Sequence, residues 1–177
     1  MPSLNIDPRR RVGIEGANGS GKSTLLRVLA GLERDFDGIC QVQTNLQRRV
    51  YVDQRTCLFR GTVLFNATYG LRARGLHRRE AQKVALELLD KLGIRSLSGV
   101  QAERISSGER RRTALVRAIS LKPKLLLLDE PTVEMDTRGV DCLRQLIEEL
   151  PDSTILISSP NSIPDGFVNE IYPLDSA

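Results

Sequence analysis

Gly16-Ala17-Asn18-Gly19-Ser20-Gly21-Lys22-Ser23-Thr24 satisfies the pattern G-x-x-x-x-G-K-[ST] at every fixed position. In such a loop the glycines let backbone N–H groups converge on phosphate oxygens, Lys22 reaches the β and γ oxygens of a nucleotide, and Ser23 offers its hydroxyl to Mg²⁺. A nucleotide bound here is expected to lie along Gly16, Asn18, Gly19, Ser20, Gly21, Lys22, Ser23 and Thr24. The pattern carries this meaning only between a strand and a helix. Val12 and Ile14 alternate with polar residues just before Gly16, and residues 22–32 have the apolar spacing of a helix, so both requirements are met.

Outward from the loop, strand and helix patterns alternate. Apolar residues at 39–42 and 49–53 predict two strands, the second ending at Gln54. From about 62 to 92 the spacing turns helical, through Leu64, Ala67 and Leu71 and then Val84, Leu88 and Leu92. A loop after Gly99 leads into ISSGERRRTALVRAI, where Ser106 or Ser107 suits an N-cap and Ala114, Leu115, Ala118 and Ile119 form one stripe. Lys124-Leu-Leu-Leu-Leu-Asp129-Glu130 is a continuous apolar run ended by two acids, the look of a strand buried on both faces of a parallel sheet. Residues 139–150 read as a helix, 153–159 as another buried strand and 170–173 as a final short one. The alternation predicts an α/β fold with a parallel sheet, interrupted by a helical lobe.

In open α/β sheets ligands sit at the carboxyl ends of the strands, which is where Asp129 and Glu130 fall. Asp129 is expected to hold Mg²⁺ through water, and Glu130 to polarise the water that attacks the γ-phosphate. Up to this point the residues describe an ATPase or a GTPase.

The 177 residues carry 26 Lys and Arg against 22 Asp and Glu, a net charge of +4, with arginine clusters at 9–11 and 110–112. That balance is mild beside the dense basic stripe of a nucleic-acid binder, and phosphate steering or a solvated surface accounts for it. Cys40, Cys57 and Cys142 lie far apart without a CxxC pair and read as free thiols of a reducing compartment. The longest apolar run stops at Leu128, well short of the roughly 18 residues a spanning helix requires, and MPSLNIDPRRR has no apolar signal core. The chain is expected in the cytosol, or on a membrane through a partner.

The stretch ISSGERRRTALVRAI resembles the LSGGQ-type signature of ATP-binding cassette (ABC) ATPases, with Arg112, Ala114, Arg117 and Ala118 continuing the pattern into the helix. Together with GANGSGKST, Gln54, LLLLDEPT and Asp136, the resemblance runs in order over nearly the whole chain. It implies a P-loop NTPase: a RecA-like parallel sheet flanked by helices at about 1–60 and 110–177, with an inserted α-helical subdomain at about 61–109. It further implies ATP and Mg²⁺ as ligands and hydrolysis coupled to transport through separate membrane subunits docked on the helical lobe. The chain would then lie at the cytosolic face of the cell membrane. A second cassette would pack head to tail, placing Ser106, Gly108 and Glu109 of one chain across from Lys22 of the other. A serine and a glycine at a helix N-terminus suit that role, as an anion site with no phosphate of its own. Gln54 resembles the Q-loop glutamine, a contact to Mg²⁺ and attacking water, and Asp136 the D-loop aspartate. The text after Gln54 is similar to importer cassettes, including those for oxyanions such as tungstate or phosphate.

Three departures accompany the resemblance. Pro160-Asn161 stands where the family has a switch histidine, and His77, the one histidine, lies in the helical lobe with the pattern of a surface residue. Proline's side chain neither donates nor accepts, so a reduced rate is expected. The fifteen residues before Gly16 contain no aromatic to stack on adenine, and they imply a shortened N-terminal β-lobe. Ser107 and Glu109 replace a glycine and a glutamine of the signature. Two further readings follow: a binding-only regulatory cassette, from Pro160 and the short start, and a non-transport ABC protein on nucleic acid or ribosomes. The single cassette and the short gap between loop and signature argue against the latter.

Overall fold

The computed structural model describes residues 4–174 and divides into two compact units. The first comprises Met1–Gln54, Pro123–Pro131 and Leu150–Ala177; the second comprises Arg55–Lys122 and Thr132–Glu149.

The first unit is a parallel sheet of five strands: β1 Arg11–Glu15, β2 Arg49–Val52, β3 Leu125–Asp129, β4 Thr154–Ser159 and β5 Glu170–Pro173. Their spatial order is β2-β3-β4-β1-β5. The run of leucines occupies β3 between β2 and β4, and every residue of that strand is buried, as a central parallel strand requires. Helix α1, Lys22–Ala30, follows the glycine loop and packs on β2, β3 and β4. Val12, Ile14, Leu26, Leu125, Leu127, Leu156 and Leu174 form the core on that face. On the other face Ile163 lies so close to Gly13 that a Cβ there would meet its Cδ1 at 2.5 Å, which is why a glycine interrupts β1.

Residues 39–42 are not a strand. Of their carbonyls, that of Val42 accepts from the Arg49 guanidinium at 3.0 Å, and the same group donates to Thr44 O at 2.7 Å and Leu29 O at 3.0 Å, tying the 42–44 loop to the end of α1. Ile39, the first residue of that expected strand, is 91% exposed. The strand expected at 49–53 ends one residue earlier, and the first helix ends at Ala30, where Gly31 takes a φ of 79° and accepts the left-handed turn that stops it.

The second unit holds α2 Val63–Ala73, α3 Arg78–Lys91, α4 Ser107–Ile119 and α5 Thr137–Glu148. Helix α2 packs on α3 and α4, and α3 on α4. The expected helical stretch breaks at Gly75, which has a φ of 88°, and restarts at His77, whose Nδ1 accepts from the Arg79 N–H at 3.4 Å. His77 is therefore an exposed helix cap. The buried stripe of α3 is Ala81, Ala85, Leu89 and then Leu92, whereas the expected Val84 and Leu88 are only half-buried. Asn66 is completely buried and closes the turn before α2, accepting from Phe59 N and donating to the Phe59 and Thr62 oxygens.

The compact units do not follow the boundaries at 60 and 110 read from the sequence. Helices α4 and α5 group with the helical unit, whereas β3 and β4, which precede and follow α5, belong to the sheet unit.

Candidate functional site

The register of the sheet puts the chemistry on one edge. Glu15 pairs with Ser159, Asp129 with Ser158, and Val52 with Leu128. The ends of β1, β2, β3 and β4 are therefore level, and the residues that follow them, Gly16, Gln54 and Glu130 among them, leave the sheet on its carboxyl side.

Gly16 turns off β1 beneath the end of β5. A Cβ at Gly16 would meet Leu174 O at 2.3 Å and Ser20 Oγ at 2.7 Å, so a side chain has no place there. Gly19 and Gly21 take φ values of 85° and 94°, the left-handed region that glycine enters without penalty. Gly21 caps α1, no side chain caps it, and its first turn contains no acid. The leading N–H groups and the positive end of the helix dipole thus point into the loop, a site ready for an anion. Lys22 is 4% exposed, and its ammonium donates to Gly16 O at 2.7 Å and Ala17 O at 2.9 Å, across the mouth of the loop. Ser20 Oγ is buried with no protein partner, an orphaned hydroxyl of the kind that a phosphate oxygen satisfies. Ser23 is half-buried one residue into α1, and Thr24 is exposed.

The second cluster stands at the end of β3. Asp129 is 1% exposed and accepts from the Tyr51 hydroxyl at 2.9 Å and from the Ser158 hydroxyl. Burial, and after it the charge and hydrogen bond of Asp129, push the Tyr51 phenol well above its ordinary range, so it remains a donor. Glu130 has a φ of 46°, uncommon for a residue with a side chain, and its N–H donates to Ser158 Oγ at 3.0 Å. Its Oε2 accepts from Gln54 Nε2 at 2.8 Å. Strain at such a position persists only where its surroundings fix it, here Ser158 of β4 and Gln54 of the segment that follows β2. β4 ends at Ser159, and Pro160 follows it.

Ser106, Gly108, Glu109 and Asp136 belong to the other unit and form a set of their own. Ser106 and Glu109 make a reciprocal capping box: Ser106 Oγ accepts from Glu109 N at 3.3 Å and Glu109 Oε2 from Ser106 N at 2.7 Å. Gly108 lies under the 132–136 turn, where a Cβ would meet Glu134 O at 2.5 Å. Asp136 caps α5 through Gly139 N at 3.0 Å and lies 3.7 Å from the Arg112 guanidinium. Gly108→Ala is therefore expected to force the 132–136 turn away and lower stability by about 1–3 kcal/mol, the cost of overpacking against backbone. Urea unfolding of the two proteins checks this.

Sequence reading missed Tyr51 and Ser158. A hydroxyl inside an otherwise apolar buried strand must find a partner, and Ser158 carried that signal. It also missed a surface on the helical unit, where Phe59, Phe65 and Tyr69 are each almost half exposed. Tyr69 lies 4.3 Å from Phe59 and 6.1 Å from Phe65 between ring centroids, and the last two aromatics border a concavity of about 670 Å³ together with Leu64, Arg72 and Arg78. No described helix is long and apolar enough to cross a membrane.

Residues 2–133 match the sequence pattern of the ABC transporter family. The tungstate uptake system ATP-binding protein TupC of Peptoclostridium acidaminophilum is 36% identical over 165 residues, 89% of this chain and 77% of that protein. The sulfate/thiosulfate import ATP-binding protein CysA of Mesorhizobium japonicum is 39% identical over 86% of this chain, which spans about half the length of that relative, 48%. Among solved structures, the dimeric bacterial ABC transporter cassette MJ0796 superposes with a TM-score of 0.85 at 25% identity, over 98% of this chain and 84% of the other. Ordered motifs, parallel sheet and relatives agree: the chain belongs to the ABC transporter family as an ATP-binding subunit, and the subunits of this kind are ATPases.

Proposed function

We propose that the chain binds ATP with Mg²⁺ in the loop between β1 and α1, hydrolyses it with Glu130 as general base, and drives import through separate membrane subunits. The observation that carries this reading is the hydrogen-bonded group at the end of β3, where Glu130 is held by Gln54 and by Ser158. A base must be fixed within reach of the proton it takes, and here Gln54, just beyond β2, holds the carboxylate while Ser158 of β4 holds the backbone N–H.

The donors fit the proposed ligands. Ser20, Lys22 and the start of α1 suit phosphate, while Ser23, Gln54 and the buried Asp129 supply the hard oxygens that Mg²⁺ prefers. When bound, Mg²⁺ neutralises charge on the β- and γ-phosphates. Lys22 would orient the phosphates, Asp129 would help to hold the cation, and Gln54 would steer Glu130 and the attacking water. Glu130 accepts the proton that water loses as its oxygen bonds to the γ-phosphorus and the bond to the β-bridging oxygen breaks. Pro160 supplies no proton relay, so the expected turnover is slow relative to binding.

Ser106, Gly108, Glu109 and Asp136 are proposed to meet the nucleotide of a second cassette, which places the active state in a head-to-tail pair. The likeness to a dimeric cassette supports this. The aromatic concavity on α2 and α3 is proposed as the seat of a membrane subunit, holding the chain peripherally at the cytosolic face. Relatives named for tungstate and for sulfate or thiosulfate support an oxyanion as cargo. Sedimentation velocity of the Glu130→Gln variant tests the pairing: a dimer with ATP and Mg²⁺ and a monomer without nucleotide are expected. A monomer at saturating ATP contradicts the head-to-tail arrangement. The binding-only cassette is a second reading, favoured by Pro160 at the end of β4; it gives the same dimer with no turnover in the wild type.

A further inference from the structure

Asp129 is almost wholly buried, and a buried carboxylate is costly unless hydrogen bonds surround it. Its two oxygens are taken by two different strands: Oδ2 by the Tyr51 hydroxyl from β2, Oδ1 by the Ser158 hydroxyl from β4. The register explains how. Ser158 is directly opposite Asp129, and Tyr51 is opposite Leu127, two residues before Asp129 and so on the same face of the sheet. With a hydroxyl donor on each oxygen, one from either side, the carboxylate plane is restrained against rotation.

Ser158 does a second thing. While its hydrogen goes to Asp129, its oxygen accepts the N–H of Glu130, whose carboxylate in turn accepts from Gln54. Tyr51, Asp129, Ser158, Glu130 and Gln54 thus form one continuous hydrogen-bonded chain across β2, β3 and β4. A free-standing core hydroxyl would need only one partner; these two converge on the residue proposed to meet the metal.

We propose that Tyr51 and Ser158 are positioning residues for the nucleotide-bound divalent cation, fixing both oxygens of Asp129 and, through Ser158, setting Asp129 and Glu130 in one mutual orientation. This rests on the reading that Mg²⁺ accompanies ATP at this site. The phenol of Tyr51 packs on the sheet core whether or not it carries its oxygen, so Tyr51→Phe removes the donor and keeps the ring.

The test is the Mg²⁺ dependence of ATP binding in the purified chain, followed with a fluorescent ATP analogue, for wild type, Tyr51→Phe, Ser158→Ala and Ser158→Thr. The half-saturating Mg²⁺ concentration is expected to rise about tenfold in Tyr51→Phe and in Ser158→Ala, the lower end of what outer-shell partners of metal ligands contribute. Affinity in excess EDTA is expected to stay at the wild-type value. Ser158→Thr, which keeps a hydroxyl, is expected to lie nearer the wild type. A purely structural role would lower the unfolding midpoint and leave the Mg²⁺ dependence in place, which overturns the proposal. If Ser158→Ala fails to fold, Tyr51→Phe alone decides. Should the wild type bind ATP no more tightly with Mg²⁺ than without, the metal reading fails and this inference fails with it; a wild-type response that Tyr51→Phe leaves unchanged sinks the inference only.

Discussion

Glu130→Gln is expected to lower ATP turnover by about 10²–10⁴-fold, the usual contribution of a general base, while ATP affinity is retained. The geometry makes the substitution specific. The amide oxygen of a glutamine still accepts from Gln54 Nε2, and the backbone N–H still reaches Ser158, so the variant keeps the contacts seen at 2.8 Å and 3.0 Å and loses only the capacity to take a proton. The φ of 46° at this residue is unaltered, because both side chains face the same backbone restriction. Turnover in Glu130→Gln equal to the wild-type rate would remove Glu130 from the chemistry.

Lys22→Met is expected to weaken ATP binding by about 10²–10⁴-fold. The estimate follows from two hydrogen bonds between charged groups, to the β and γ oxygens, at about 1.5–3 kcal/mol each. Methionine retains most of the apolar stem of a side chain that is only 4% exposed, so the fold should tolerate the change better than a truncation. The ammonium also spans Gly16 O and Ala17 O, and part of the loss will come from a looser loop. Isothermal titration with ATP, beside a far-ultraviolet spectrum to confirm folding, measures the effect.

The phosphate loop and the paired acids of this site are legible in the sequence for a physical reason. The phosphate loop and the acids after the leucine run are local: spacing in the chain fixes their place at the end of a strand, and the parallel register of β1, β3 and β4 then brings them to one edge. What escaped were partners remote in sequence. Tyr51 and Asp129 are 78 residues apart, and Ser158 and Asp129 are 29 apart, so their pairing depends on which strands lie side by side. The order β2-β3-β4 is a property of the folded sheet.

The false strand at 39–42 has a related cause. Its apolar pattern was genuine, but Arg49 reads in the sequence as an ordinary charged residue at a strand's start, and nothing local says that its guanidinium will take three backbone oxygens, two of them from the 42–44 loop. The division between the units escaped likewise. A helix that follows a buried strand is ordinarily expected on that strand's sheet, yet α5 groups with α2, α3 and α4, where Lys91 and Glu149 form an ion pair. The sequence around His77 implies a surface position, but capping a helix with Nδ1 is a matter of backbone angles that spacing does not disclose.

Pro160 bears most directly on hydrolysis. Its ring can neither donate nor accept, so the arrangement of Glu130, Gln54, Ser158 and Asp129 must suffice for hydrolysis without a relay from the end of β4. The most direct test is steady-state ATP hydrolysis by the purified wild-type chain with Mg²⁺ over a range of protein concentrations. Measurable turnover is expected, with a rate per chain that rises with concentration as pairs form. A rate at background at every concentration, despite saturating ATP binding, would contradict it and leave a cassette that binds nucleotide without spending it.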